Sequence, residues 1–184
     1  MKVKPTKIEG CFEIEIIIRE DGRGRLVKNF HKTSFEKLGL MTDFPEHYYS
    51  VSKKNVLRGL HFQVPSQHHI KLVSCLEGRI LDVVVDLRIG SPTYGDHLMI
   101  ELNSEKANML YVPEGCAHGF FTLSTKSIFL NRTSTMYSNS HDGGIHWDSC
   151  GIEWPTTNPI ISKKDKYLPE LENFDSPFKF QPTI

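Results

Sequence analysis

Strand signals dominate the pattern of apolar and polar positions along this chain. Residues 79–87 show it best: Leu81, Val83, Val85 and Leu87 fall on one face, Ile80, Asp82, Val84 and Asp86 on the other. Residues 13–18 begin with the same alternation and end as an apolar run. Further short apolar runs lie at residues 71–76, 98–102, 109–112, 119–123 and 127–130. Turn formers separate them at Gly90-Ser-Pro-Thr, Asn103-Ser-Glu and Pro113-Glu-Gly. Many short strands at this spacing predict an all-β antiparallel sandwich or barrel. Helix signals are weak and short. The best are residues 34–40, with Ser34 as N-cap and Gly39 near the stop, and a turn near residues 165–168. Proline and polar residues after Pro155 predict a tail draped over the barrel.

Asp82 and Asp86 share a face in a strand otherwise built of Val, Ile and Leu, which leaves two readings open. Either that face meets solvent, or it lines a polar interior where carboxylates need arginine or histidine partners.

At 184 residues the chain can bury a sizeable core and is read as one domain, residues 1–184. Lys+Arg and Asp+Glu both total 22, so no net basic field draws nucleic acid or an anionic membrane. A few placed arginines would still bind a phosphate. The opening MKVKPTKIEG lacks the apolar run of a signal peptide, and no apolar stretch approaches a membrane span. Cys11, Cys75, Cys116 and Cys150 are scattered without CxxC spacing and are expected to be reduced and structural. A soluble cytoplasmic protein is the expectation.

Two segments resemble the metal site of a cupin barrel. Cupins hold a metal with an HxH pair, then a glutamate followed by six residues and a glycine, and finally the histidine of a PxGxxH segment. Pro113-Glu-Gly-Cys-Ala-His118 matches the last segment, and Gly78 closes the first. The glutamate position, however, holds Lys71, and the HxH positions hold Val64 and Ser66 or Pro65 and Gln67. An ammonium repels a transition metal that wants imidazole, carboxylate or thiolate ligands. The expected fold is therefore a cupin-type jelly-roll barrel with short peripheral helices, and the expected site holds no metal and a fixed positive charge.

Arg58, His61, Lys71 and His118 are the residues that could give such a barrel its chemistry. An imidazole near a cation suits proton abstraction beside a carbonyl: histidine acts as base near neutrality, and the cation stabilises the enolate. A carboxylate behind the histidine would fix its tautomer. Sequence does not show that these groups converge.

The blocks VLRGLHFQ, KLV, DVVVDLR-x-GSPTYG, YVPEGCAHGF and GIHWD…IEWP…ISKKD keep an order and spacing that resemble the dTDP-4-dehydrorhamnose 3,5-epimerase family from about Gly10 to Leu168. The resemblance implies a homodimeric cupin-type jelly roll that needs no metal or other cofactor. It implies a nucleoside-diphosphate 4-keto-6-deoxyhexose as substrate, with C3 and C5 protons acidified by the C4 ketone, on the way to a deoxysugar for a surface polysaccharide such as an O-antigen. By position, His61 matches the family's base and Asp165 the acid paired with it. Lys71 and Arg58 match residues beside the keto sugar, and Arg23 a diphosphate or sugar contact. His118 matches a histidine lining the pocket, with a structural relic of the cupin metal site as the lesser reading. Tyr137 matches an aromatic of the active-site wall, Asp142 a position usually glutamate, and Lys164 a basic position usually arginine or lysine, and the resemblance implies that all three contact substrate.

The chain departs from the family in two places. The family's proton-donor tyrosine, thirteen residues beyond the matching histidine, is Asn131 here. An amide does not titrate in the useful range. Deprotonation by His61 is expected to survive and inversion to be confined to C3, unless Tyr137 or a water replaces the donor. Where the family holds thymine, Lys28 stands at a glutamate position, Leu26 at an aromatic one, and Glu46-His-Tyr48 replaces Q-x-N. A glutamate accepts from the exocyclic amine that cytosine and guanine have and thymine lacks, which points to CDP ahead of GDP. Three alternatives stay open: an ordinary double epimerase, a non-catalytic sugar-nucleotide-binding relic, and a metal-dependent cupin using His61, His69 and His118. The adjacent His68 and His69 are read as loop or rim residues, and Trp147 and Trp154 as packing residues.

Overall fold

A computed structural model of the chain describes residues 1–182, so the last two residues of the expected domain lie outside the described residues. In chain order it begins with β1 (Lys2–Pro5), β2 (Phe12–Glu15), β3 (Ile18–Asp21), β4 (Gly24–Val27) and a short helix α1 (Lys32–Glu36). Next come β5 (Glu46–Lys53), β6 (Leu57–Gln63), β7 (Lys71–Glu77), β8 (Arg79–Asp86) and β9 (His97–Asn103). The last strands are β10 (Met109–Val112), β11 (Cys116–Thr122), β12 (Lys126–Thr133) and β13 (Asp142–Gly144). Single 3₁₀ turns follow at Asp165–Tyr167 and Leu171–Asn173.

A six-stranded sheet runs β1-β2-β10-β7-β12-β5, and a five-stranded sheet runs β13-β6-β11-β8-β9. All their strand pairs are antiparallel. The expected all-β, cupin-type jelly roll is the observed fold. Strands β3 and β4 form a separate hairpin. No helix among the described residues is long and apolar enough to cross a membrane.

Strand β8 explains why its alternation left inside and outside undecided, because both of its faces are buried. Ile80 and Val84 join Val73, Leu110, Phe120 and Phe129 in a cluster between the two sheets. Val83, Val85 and Leu87 pack outward against Ile145, Ile152 and Phe178. The tail after Pro155 supplies the last of these, Phe178, as its expected draping requires, and bridges Val56 to Ile160 and Ile89 to Lys179 on the way. Each such side chain, once buried, contributes about 1.5–3 kcal/mol. The two acids of β8 accordingly face the interior. Asp86 accepts from Arg88, Ser91 and Thr93, and Asp82 reaches His118.

Three local expectations change. The run expected over residues 13–18 breaks after Glu15, because the chain leaves the barrel to build the hairpin and exposes Ile17. The strand expected over residues 119–123 starts at Cys116, which puts His118 inside it. The N-cap of α1 is His31 rather than Ser34; Ser34 sits in the first turn with its hydroxyl on His31 Nδ1. The helix stops at Glu36, and the Leu40 N–H closes back on the Phe35 carbonyl through Gly39 at φ +68°.

Candidate active site

Strand β6 carries the first two site residues through an irregularity. Residues three apart on a regular strand point to opposite faces. In the pairing of β6 with β11, His61 faces His118, but Arg58 already faces Phe120, so β6 holds one extra residue between them. This bulge resets the phase and turns both Arg58 and His61 into one cavity. It needs glycine on both strands. A Cβ on Gly59, at φ +136°, would lie 2.6 Å from the Gly119 Cα.

The cavity, of about 480 Å³, opens between the two sheets, within the size range of small-ligand pockets. His61 Nε2 lies 2.7 Å from Asp165 Oδ1. Asp165 is held on the first 3₁₀ turn, where its N–H donates to the Ser162 hydroxyl, and Gly59 N–H points at its other oxygen. Burial pushes the Asp165 carboxyl up, but its bond to His61, that ring's field, Ser162 and Gly59 together hold it below the ordinary carboxylate range. A carboxylate so placed keeps the proton of the imidazole on Nε2 and leaves the lone pair on Nδ1.

Lys71 enters from β7, is buried, and donates from Nζ to the main-chain carbonyl of His61 at 3.0 Å. Burial pulls its pKa down to about 8, against the opposing attraction of Asp82 and Asp142. Beside it His118 Nε2 meets both Asp82 oxygens, at 3.0 and 3.1 Å, and its ring stacks on Phe129. Burial lowers the His118 pKa and raises that of Asp82. Arg58 also lines the cavity and donates from Nε to the Ser52 hydroxyl.

The opposite wall comes from β5 and β12. Tyr48 and Asn131 face each other in register, and Asn131 Nδ2 donates to the Tyr48 hydroxyl at 2.6 Å. Both line the cavity, as does Lys164.

Residues 5–173 match the family described as dTDP-4-dehydrorhamnose 3,5-epimerase. The chain belongs to this family. The dTDP-4-dehydrorhamnose 3,5-epimerase of Salmonella typhimurium is 41% identical over 176 residues, covering 94% of this chain and 96% of that one. A dTDP-4-dehydrorhamnose 3-epimerase of Streptomyces niveus is 35% identical over 169 residues, covering 90% and 82%. The crystal structure of a dTDP-6-deoxy-D-glucose-3,5-epimerase from Legionella pneumophila, in complex with dTDP-4-keto-L-rhamnose, aligns with a TM-score of 0.93 at 34% identity. That alignment covers 98% of this chain and 99% of the other. As a member of this epimerase family the chain is an isomerase acting on carbohydrate derivatives.

Of the positions matched to the family by sequence, Arg58, His61, Lys71, His118, Asn131, Tyr48, Lys164 and Asp165 meet in the cavity. Glu46, Tyr137 and Asp142 do not line it. They form a hydrogen-bonded rim: Tyr137 N–H donates to Glu46, its hydroxyl to Asp142, and Lys164 pairs with Asp142. Arg23 and Lys28 lie outside it, in and just beyond the exposed β3–β4 hairpin, with Arg23 paired to Asp21. Sequence reasoning named Asp82 without assigning it to the site, and it did not find Ser50, Phe129 or Ile161 in the wall. Alternation on β8 carried a signal for Asp82, but its partner was not legible.

The imidazoles of His61, His69 and His118 do not gather: among the described residues no group of three His, Cys, Asp or Glu side chains is placed to hold a metal ion. His69 Nδ1 is engaged by Gln63 and Thr135, and burial pulls its pKa to about 3. A second, more open cavity of about 770 Å³ has His68 paired with Glu114, and Arg88 with Asp86. The first cavity is where a base, a buried cation and a carboxylate converge.

Proposed function

We propose that the chain epimerises a nucleoside-diphosphate 4-keto-6-deoxyhexose by taking a proton from the carbon beside the C4 ketone, with His61 as the base. The observation that carries this reading is the His61–Asp165 pair in one cavity with buried Lys71. Asp165 orients the imidazole and balances the imidazolium that forms. Lys71 and Arg58 face the developing enolate oxygen with positive charge. The test is deuterium uptake from solvent into CDP-, GDP- and dTDP-linked 4-keto-6-deoxyglucose, followed carbon by carbon by NMR. Uptake that His61→Ala abolishes is expected; uptake unchanged by that substitution overturns the base assignment.

Inversion at C3 alone is the proposed stereochemical course, supported by Asn131 at the family's donor position and by the 3-epimerase among the relatives. Inversion at both carbons would sink it. For the nucleotide, Glu46 and Lys28 support CDP ahead of GDP, although the relatives compared above carry dTDP in their names. One Glu46 oxygen is held by the Tyr137 N–H, and the other is left to accept from an exocyclic amine. Tight binding of dTDP beside weak binding of CDP and GDP, by calorimetry, would refute this.

A homodimer is proposed as well. Leu26 and Val27 on the hairpin, and Tyr49 and Val51 on the edge strand β5, are exposed apolar side chains that a second copy would cover. The four free, buried cysteines fit a reducing compartment, and we place the reaction in the cytoplasm, in deoxysugar supply for a surface polysaccharide.

A further inference from the structure

Inverting a carbon beside a ketone needs two groups on opposite faces of the sugar ring. A base alone returns the proton to the face it left. His61 stands on β6 of the five-stranded sheet and Tyr48 on β5 of the six-stranded sheet, and both line the same cavity. A ring lying between the sheets would present one face to the imidazole and the other to the phenol.

Asn131 does not fill the acid's place, since a carboxamide has no proton of suitable acidity. It does something else. Directly opposite Tyr48 in the antiparallel register, its Nδ2 donates to the phenol oxygen at 2.6 Å. That bond occupies a lone pair of the oxygen and leaves the hydroxyl proton for another acceptor. The Asn131 side chain is 2% exposed, and its Oδ1 has no partner among the described residues, on the wall of the cavity. Tyr137, the other candidate phenol, lies outside the cavity, and its hydroxyl is bonded to Asn139 and Asp142. Tyr48 as a residue is 46% exposed, but desolvation around its hydroxyl raises its pKa, and the phenol keeps its proton at neutral pH until an acceptor arrives.

We propose that Tyr48 is the acid of this site, with Asn131 positioning it; the proposal rests on the functional reading above. His61 takes the C3 proton, and the electrons of that C–H bond move into the enolate. On return, the enolate electrons form a new C3–H bond with the Tyr48 proton on the face away from His61, the O–H bond breaks, and the C4 carbonyl is restored. The tyrosinate, held by the Asn131 N–H, regains a proton from solvent while the imidazolium releases one, so protons balance over the cycle. The phenol has thus moved across one strand pair, from β12 to β5, with an amide in exchange.

The experiment is turnover in D₂O of the 4-keto-6-deoxyglucose nucleotide that the wild type accepts, with isotope content and configuration at C3 read separately by NMR. Tyr48→Phe is expected to keep exchange within about threefold while inversion falls at least about 100-fold. Inversion at the wild-type rate overturns the proposal, and so does an equal loss of exchange and inversion, which would make the phenol a support of the fold or of binding. The exchanged pair, Tyr48→Asn with Asn131→Tyr, is expected to recover inversion to within about tenfold, because a phenol again faces the cavity. A folded double variant that exchanges without inverting counts against it. A wild type that exchanges no proton with any of the three nucleotide sugars would instead refute the base reading beneath it.

Discussion

The ammonium of Lys71 donates to the main-chain carbonyl of His61 at 3.0 Å, so the buried cation of the site is tied to the residue that carries the candidate base. The tether fixes how far the cation stands from the imidazole, and it costs stability. A lysine this buried loses hydration that one carbonyl and the more distant Asp82 do not return, as its pKa of about 8 records. Replacing Lys71 with Met is therefore expected to lower kcat about 10²–10³-fold and to raise stability by roughly 1–2 kcal/mol, after allowing for the carbonyl left unpaired. Thermal melts and turnover of the same preparation check both. A variant that is active and less stable would refute the assignment.

The same group sets two opposite pH trends. In the unfolded chain lysine titrates near 10.5, so between about 8 and 10.5 the unfolded state holds more protons than the folded one. The cost of burying Lys71 is thus fully present below about pH 8 and is relieved as pH rises toward 10.5. Turnover moves the other way, falling as pH rises through about 8 and the cation is lost. Denaturant melts and kcat profiles across pH 7–10 are expected to diverge for the wild type and to lose this divergence in Lys71→Met.

Much of this was legible in the sequence, and the reasons differ by residue. Short apolar runs split by turn formers predicted the strands, and Lys71 in an apolar strand predicted a buried cation. The convergence of Arg58 with His61 was not legible, since regular alternation sends residues three apart to opposite faces. Gly59 inside a strand was the available signal of a bulge. Strand β5 was missed because EHYYSVSK, on the edge of its sheet, turns only every second residue inward and carries few apolar side chains. Without β5, Tyr48 could not be placed opposite Asn131, so the phenol proposed above as the acid for C3 was not visible from the sequence.

Asp165→Asn should separate orientation from binding. The amide keeps the shape but presents a donor or a neutral acceptor to His61, so the lone pair no longer sits reliably on Nδ1. The expected result is a drop in kcat of roughly 10²–10⁴-fold with KM changed little. The variant should also lose a pH-dependent share of stability. The wild-type carboxyl titrates below its unfolded value, so its contribution is present above the ordinary carboxylate range and disappears as pH falls through the folded pKa. Melts at pH 3–6 should therefore converge for the two proteins at the acid end. A large rise in KM alone would contradict the orienting role.

His118 and Asp82 present a different case, a fully enclosed pair. Removing one partner leaves the other buried and unpaired, so Asp82→Leu or His118→Leu alone is expected to cost about 3–5 kcal/mol. Removing both replaces the pair with apolar volume, and the double variant should be more stable than either single one. Denaturant unfolding of the three variants gives the coupling energy directly. Additive losses would mean that the pair is not a unit.

Arg23 raises a question of which chain it serves. It lies on a hairpin outside its own cavity, and its side chain is 91% exposed. If the proposed dimer brings the hairpin of one protomer to the cavity of the other, Arg23 acts in trans. Arg23→Glu and His61→Ala are each expected to be nearly inactive. After unfolding and refolding together, half of the dimers should be mixed. A mixed dimer with trans sites has one cavity carrying both defects and one carrying neither, so activity should recover to about a quarter of wild type. Sites built in cis would each keep one defect, and the mixture would stay inactive. Recovery thus tests the dimer and the role of Arg23 together, and an inactive mixture whose dimers are shown by mass spectrometry to have exchanged would exclude the trans arrangement.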